Sequence, residues 1–203
     1  MAARKKKPVS KVQKVLQLRI ELVDVTPKVW RVVTVPAAMG LDQLHLTLNE
    51  AMGWNNSHLH EFVIDGRKYS DVRTSDGAIT FHDESMFRLD EVVKVGDRFE
   101  YAYDFGDGWE HVVKVEKELP FDDRVAYPVC LAGKRACPPE DCGGPDGYAH
   151  LLAVLDDPDD GEHDELVQWI GGAFDAEGFD PNRTTHGMRA VLQEDYALLT
   201  END

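Results

Sequence analysis

Phe99, Tyr101 and Tyr103 alternate with Glu100, Ala102 and Asp104, after which the chain enters Gly106-Asp107-Gly108 and resumes as Trp109–Leu119. A period of two sends alternate side chains to opposite faces of a strand, and a glycine-rich turn between two such runs folds them back antiparallel. This commits the middle of the chain to a hairpin, and so to an antiparallel sheet. Leu16, Leu18, Ile20 and Leu22 alternate with Gln17, Arg19 and Glu21, which predicts a strand within 15–25, and 29–35 reads as its partner, stopped by Pro36. His58–Ile64 and Arg67–Ser70 flank the tight turn Asp65-Gly66.

Helical spacing is concentrated elsewhere. Leu41, Leu44, Leu48 and Met52 recur at three and four residues, with Asp42 suited to the positive end of that helix. Leu89–Val93 reads as a single helical turn, 71–83 as a polar loop, and 121–147 as irregular and turn-rich. Three further helices are predicted over 147–155, 163–170 and 186–199. Strands first and helices last give an α+β class with an antiparallel sheet in one domain, 15–203, behind a basic disordered arm, 1–14. That arm carries six Lys/Arg and no acid, whereas the remaining 189 residues hold 16 Lys/Arg against 38 Asp/Glu, a balance of −22. Such a body repels phosphate backbone, so direct nucleic-acid binding is expected only through the arm. No apolar run reaches the ~18 residues needed to span a membrane. The basic tip lacks the apolar stretch of a secretory signal, and three cysteines, an odd number, suggest reduced thiols in a cytoplasm.

Candidate chemistry gathers between Tyr101 and Tyr148. The hairpin tip offers Tyr103, Asp104, Asp107, Trp109 and His111, and the segment from Cys137 to Tyr148 adds Glu140, Asp141 and Tyr148. Packed side by side, these would form a cleft with aromatic walls, Trp109 and Tyr148, and an acidic rim. The bland alternative for Asp104 and Asp107 is that they accept backbone N–H bonds in the turn. Cys130, Cys137 and Cys142, with His111 as a fourth ligand, are a candidate zinc set, set against three small thiols packing a loop. His58 and His60 share a strand face by period two and could bind metal or simply hydrogen-bond across the sheet. Asp156–Glu165 has seven acids in ten residues but puts Pro158 third and Val167 twelfth in a calcium-loop register, so it is read as a solvated connection capping the next helix. No nucleophile elbow, Walker loop or dinucleotide fingerprint is present.

The ordered motifs Val29-Trp30-Arg31, Leu44-His45, Met52-Gly53-Trp54, His58-Leu59-His60-Glu61-Phe62 and the two segments of the Tyr101–Tyr148 stretch together resemble the plasmid pRiA4b ORF-3-like family, also met as insertion-sequence passenger proteins labelled TnpR. The resemblance covers nearly all of the chain after the arm. It implies a curved antiparallel sheet with flanking helices and no defined activity. Neither a serine-recombinase pattern nor a basic DNA-binding domain supports the resolvase label. The leading expectation is a non-catalytic interaction or accessory module, associated with mobile elements, whose partner is a protein or peptide of basic character. The alternative is a metal-dependent hydrolase in which Asp104, Asp107, Glu140 and Asp141 hold a divalent ion, or His111 and the cysteines hold zinc.

Overall fold

A computed structural model describes residues 13–74 and 81–200. Eight strands form one open sheet: β1 (Lys14–Leu22), β2 (Trp30–Pro36), β3 (His60–Ile64), β4 (Arg67–Ser70), β5 (His82–Asp83), β6 (Arg98–Tyr103), β7 (Trp109–Pro120) and β8 (Val129–Lys134). Their spatial order is β5-β4-β3-β6-β7-β1-β2-β8. Every pairing is antiparallel except the short β4–β5 ladder. Among the described residues five α-helices accompany it: α1 (Leu41–Met52), α2 (Leu89–Val92), α3 (Gly144–Asp156), α4 (His163–Trp169) and α5 (Pro181–Thr200). The α+β, single-domain architecture follows the sequence pattern.

The alternating runs behave as strand physics requires. Leu16, Leu18, Ile20 and Leu22 are buried while Gln17, Arg19 and Glu21 are half-buried, and Trp109, His111, Val113 and Val115 take the inward positions of β7. Helix α1 presents Leu41, Leu44 and Leu48 to the same core and ends at Gly53 in the left-handed region, φ 95°. Helix α5 packs on α1 and on β8, covering that edge of the sheet.

Three expectations need correction. The 121–147 segment is not wholly irregular, because β8 pairs with β2 at the sheet edge through a register shift between Val32 and Val33. The polar stretch 71–83 contains a 3₁₀ turn (Val72–Thr74) and β5, while 75–80 lie outside the described residues. The arm expected at 1–14 also lies outside them up to residue 12, and Lys14 already belongs to β1.

Candidate functional site

The hairpin tip and the 137–148 loop do meet, and they meet as a closed seam. Asp104 ends β6 with φ 55°, and its Oδ1 accepts the N–H groups of Gly106 at 2.9 Å and Asp107 at 3.3 Å. Asp107 Oδ2 accepts the Gly143 N–H at 3.2 Å. Asp104 thus makes the backbone bonds that turn chemistry favours, whereas Asp107 binds a backbone N–H of the facing loop. Gly144, at φ 69°, lies so close that a Cβ there would stand 2.2 Å from the Asp107 carbonyl oxygen. Tyr103 Oη donates to Glu140 Oε1 at 2.6 Å and accepts the Ser57 N–H at 3.0 Å, while Trp54 Nε1–H donates to the Pro138 carbonyl at 2.9 Å.

This packing changes the reading of the two aromatic walls. Trp109 is 0% exposed and Tyr148 is 2% exposed, so both are core side chains rather than the lining of an open cleft. Removing so much apolar area from water outweighs what an exposed aromatic wall could gain without a ligand. The zinc set is likewise not assembled. Among the described residues, no three of His111, Cys130, Cys137 and Cys142 bring ligand atoms within 4.8 Å of one another. His111 instead donates from Nδ1 to the Tyr101 carbonyl at 2.9 Å, and burial pulls its imidazole down to about 4. Burial raises Cys130 to about 11 and Cys142 to about 12, and drives Cys137 up as well. Neutral thiols in the interior fit the packing role.

Open space lies on the other side of His58. A cavity of about 520 Å³ is bounded by α1, the 56–60 segment, and the connections around Asp71 and Glu84. His45 and His60 stack in its wall, with ring centroids 3.4 Å apart and planes 4° from parallel. His45 Nε2 lies 2.6 Å from Asn56 Oδ1, an acceptor, so the proton sits on Nε2. Its Nδ1 then accepts from Tyr101 Oη at 2.8 Å, and Tyr101 keeps its proton because burial raises its phenol well above the ordinary value. His60 Nε2 is 2.7 Å from Glu84 Oε2, and both residues are buried.

Desolvation dominates the charge state of this group. It lowers His45 to about 3 and His60 to about 4, and raises Glu84 to about 7. The Glu84–His60 pair therefore holds one shared proton below neutrality and loses it above. A carboxyl poised near neutral pH beside an open cavity can receive a cation or exchange a proton.

Sequence reasoning pairs His58 with His60 on one strand. The strand begins at His60, and His58 belongs to the preceding loop. His45 and Glu84 were missed. His45 follows Leu41 by four residues, so helical spacing could have put it on the buried face of α1. Glu84 has no periodic signal around it.

The family model described as "Plasmid pRiA4b ORF-3-like protein" matches residues 14–183, and the chain belongs to that family. A relative from Sinorhizobium fredii (strain NBRC 101917 / NGR234), "Uncharacterized protein y4hQ", is 41% identical over 165 residues, which cover 80% of this chain and 84% of that protein. The crystal structure of a "Protein of Unknown Function", MM3350 from Methanosarcina mazei Go1, is similar with a TM-score of 0.76 and 36% identity, over 84% of this chain and 97% of the other. These relatives carry no described activity. No helix among the described residues is long and apolar enough to cross a membrane.

Proposed function

We propose that this member of the plasmid pRiA4b ORF-3-like family is a non-catalytic binding module that takes a cationic group of a protein or peptide into the His60–Glu84 cavity. The carrying observation is the charge of its wall. Asp42, Asp71, Asp83 and Glu84 face the space, and the one arginine among the described lining residues, Arg73, is held by Asp71 through a bidentate contact with bonds of 2.7 and 2.9 Å. Leu59 and Val72, 48% and 42% exposed, stand on the same wall and offer apolar contact to the stem of a lysine or arginine. An acidic body attracts such a partner from a distance, and the cavity supplies the local selectivity.

The test is an NMR titration of the chain with a capped Lys-Arg-Lys peptide in chelator and moderate salt. Shifts confined to the cavity, and affinity weakened about tenfold in Glu84→Gln and Asp42→Asn, are expected, with Asp159→Asn as an unaffected control. Equal affinity in wild type and Glu84→Gln, or shifts spread over every acidic surface, would sink the reading.

The plasmid named in the family description supports an accessory role on a mobile element. Three unbridged cysteines support a reducing, cytoplasmic setting.

A further inference from the structure

From the convergence of His58, Asp104 and Asp141, we infer a site for one first-row divalent cation, Zn²⁺ or Mn²⁺, at the junction of the closed seam and the open cavity. This inference is independent of the cationic-peptide reading. The three residues come from separate segments: the loop before β3, the end of β6, and the loop after β8. One donor atom from each lies within 4.8 Å of the others, and they form the one such trio among the described residues.

Neither carboxylate makes a hydrogen bond of normal length to His58. Asp104 Oδ2 is 3.6 Å from His58 Nδ1, and Asp141 Oδ1 is 3.3 Å from His58 Nε2. Charge-assisted hydrogen bonds between such groups contract to about 2.7–2.9 Å. A single ion takes one imidazole nitrogen, and metal–ligand bonds of about 2.0–2.2 Å hold donors no more than roughly 4.2 Å apart, so a small rotation of the exposed Asp141 would draw the trio, now within 4.8 Å, into one shell.

A second observation points the same way. His58 Nε2 has no exposed surface of its own and no hydrogen-bond partner, although Asp141 is near, because their contact lacks hydrogen-bond geometry. A buried imidazole nitrogen without a partner is costly unless something fills its lone-pair direction. Asp104 is already oriented as a ligand, since two backbone N–H groups fix its Oδ1 and leave Oδ2 turned toward His58. Its rigidity contrasts with Asp141, whose side chain is 71% exposed and can rotate onto an ion arriving from solvent.

The donor set selects the ion class. One imidazole with two carboxylates suits Zn²⁺ or Mn²⁺, whereas Ca²⁺ and Mg²⁺ prefer shells of oxygen alone. Three protein donors leave coordination positions for water or a ligand group.

The experiment is calorimetric titration of tag-free, chelator-stripped protein with ZnCl₂ and, separately, MnCl₂, with no peptide present. One ion per chain is expected, with affinity at least about tenfold weaker in His58→Ala and in the solvent-exposed variant Asp141→Asn. Asp107→Asn, in the same seam but outside the trio, should bind as wild type. Bound Mn²⁺ should broaden the His58 imidazole resonances in NMR well before those of His45 and His60. Binding that survives both trio variants, broadening centred elsewhere, or no saturable binding in the micromolar range would overturn the site and leave His58 as an ion-pair bridge between two carboxylates. Peptide capture in chelator is unaffected by any of these outcomes, so the two readings fail separately.

Discussion

The seam at Asp107–Gly144 and the cavity at His60–Glu84 lie on either side of His58, and they use similar residue types in opposite ways. In the seam, two carboxylates that face across are matched: Asp107 by the Gly143 N–H, and Glu140 by Tyr103 and the Asn55 N–H. Its aromatics are core, and its glycines let two backbones touch. In the cavity, carboxylates crowd one wall around two stacked neutral histidines, and burial is what raises Glu84. Turn formers and aromatics at high density mark where a chain must be held together. A concentration of acid beside open space marks where something can bind.

The largest effect that could break this contrast is Trp109→Ala. A fully buried indole in the seam should cost about 3–5 kcal/mol in urea unfolding. Leu59→Ala on the cavity rim should stay within about 0.5 kcal/mol. Comparable small losses at both positions would mean that the seam is not closed core. Gly144→Ala comes next, at roughly 2–4 kcal/mol, since it combines a left-handed backbone with a 2.2 Å approach to a carbonyl. A neutral outcome there would show the two backbones free to separate.

The pH dependence of stability sharpens the cavity side. Glu84 rises from 4.5 to about 7 on folding, so its contribution is full below 4.5 and is lost as pH climbs through 7. His45, His60 and His111 fall from 6.5 to about 3, 4 and 4, so theirs is full above 6.5 and is lost as pH drops toward those values. Stability should therefore peak near pH 6 to 7, with an alkaline limb of about 1 kcal/mol. Glu84→Gln should flatten that limb and leave the acid limb in place. An unchanged alkaline limb would contradict the assignment of the raised carboxyl. A loss of similar size, roughly 1–2 kcal/mol, is expected for Tyr103→Phe, which strands Glu140 and the Ser57 N–H in the seam.

Much of the fold could be read from the chain because period-two and helical spacings are strong where the sheet and α1 lie. Strand β8 escaped because Val129–Lys134 is a short edge strand whose burial does not alternate cleanly and whose pairing slips beside Val33. His111 was readable in principle: Trp109, His111 and Val113 occupy successive inward positions of β7, which argues for a core histidine over a zinc ligand. The cavity was not readable in the same way. It draws on α1, the 56–60 segment and the flanks of β5, and burial, which no local pattern reports, is what raises Glu84. Asp104 and Asp141 were picked out for their carboxylates, but their convergence on His58 depends on how the seam closes.

The most direct measurement is the affinity of the capped Lys-Arg-Lys peptide for wild type and Glu84→Gln between pH 6 and pH 8, in chelator and at constant salt. An ionised Glu84 as the seat of the cation predicts that wild-type affinity rises through pH 7 while Glu84→Gln stays weak and flat. Affinity that is pH-independent in wild type, or that rises equally in the variant, would contradict it.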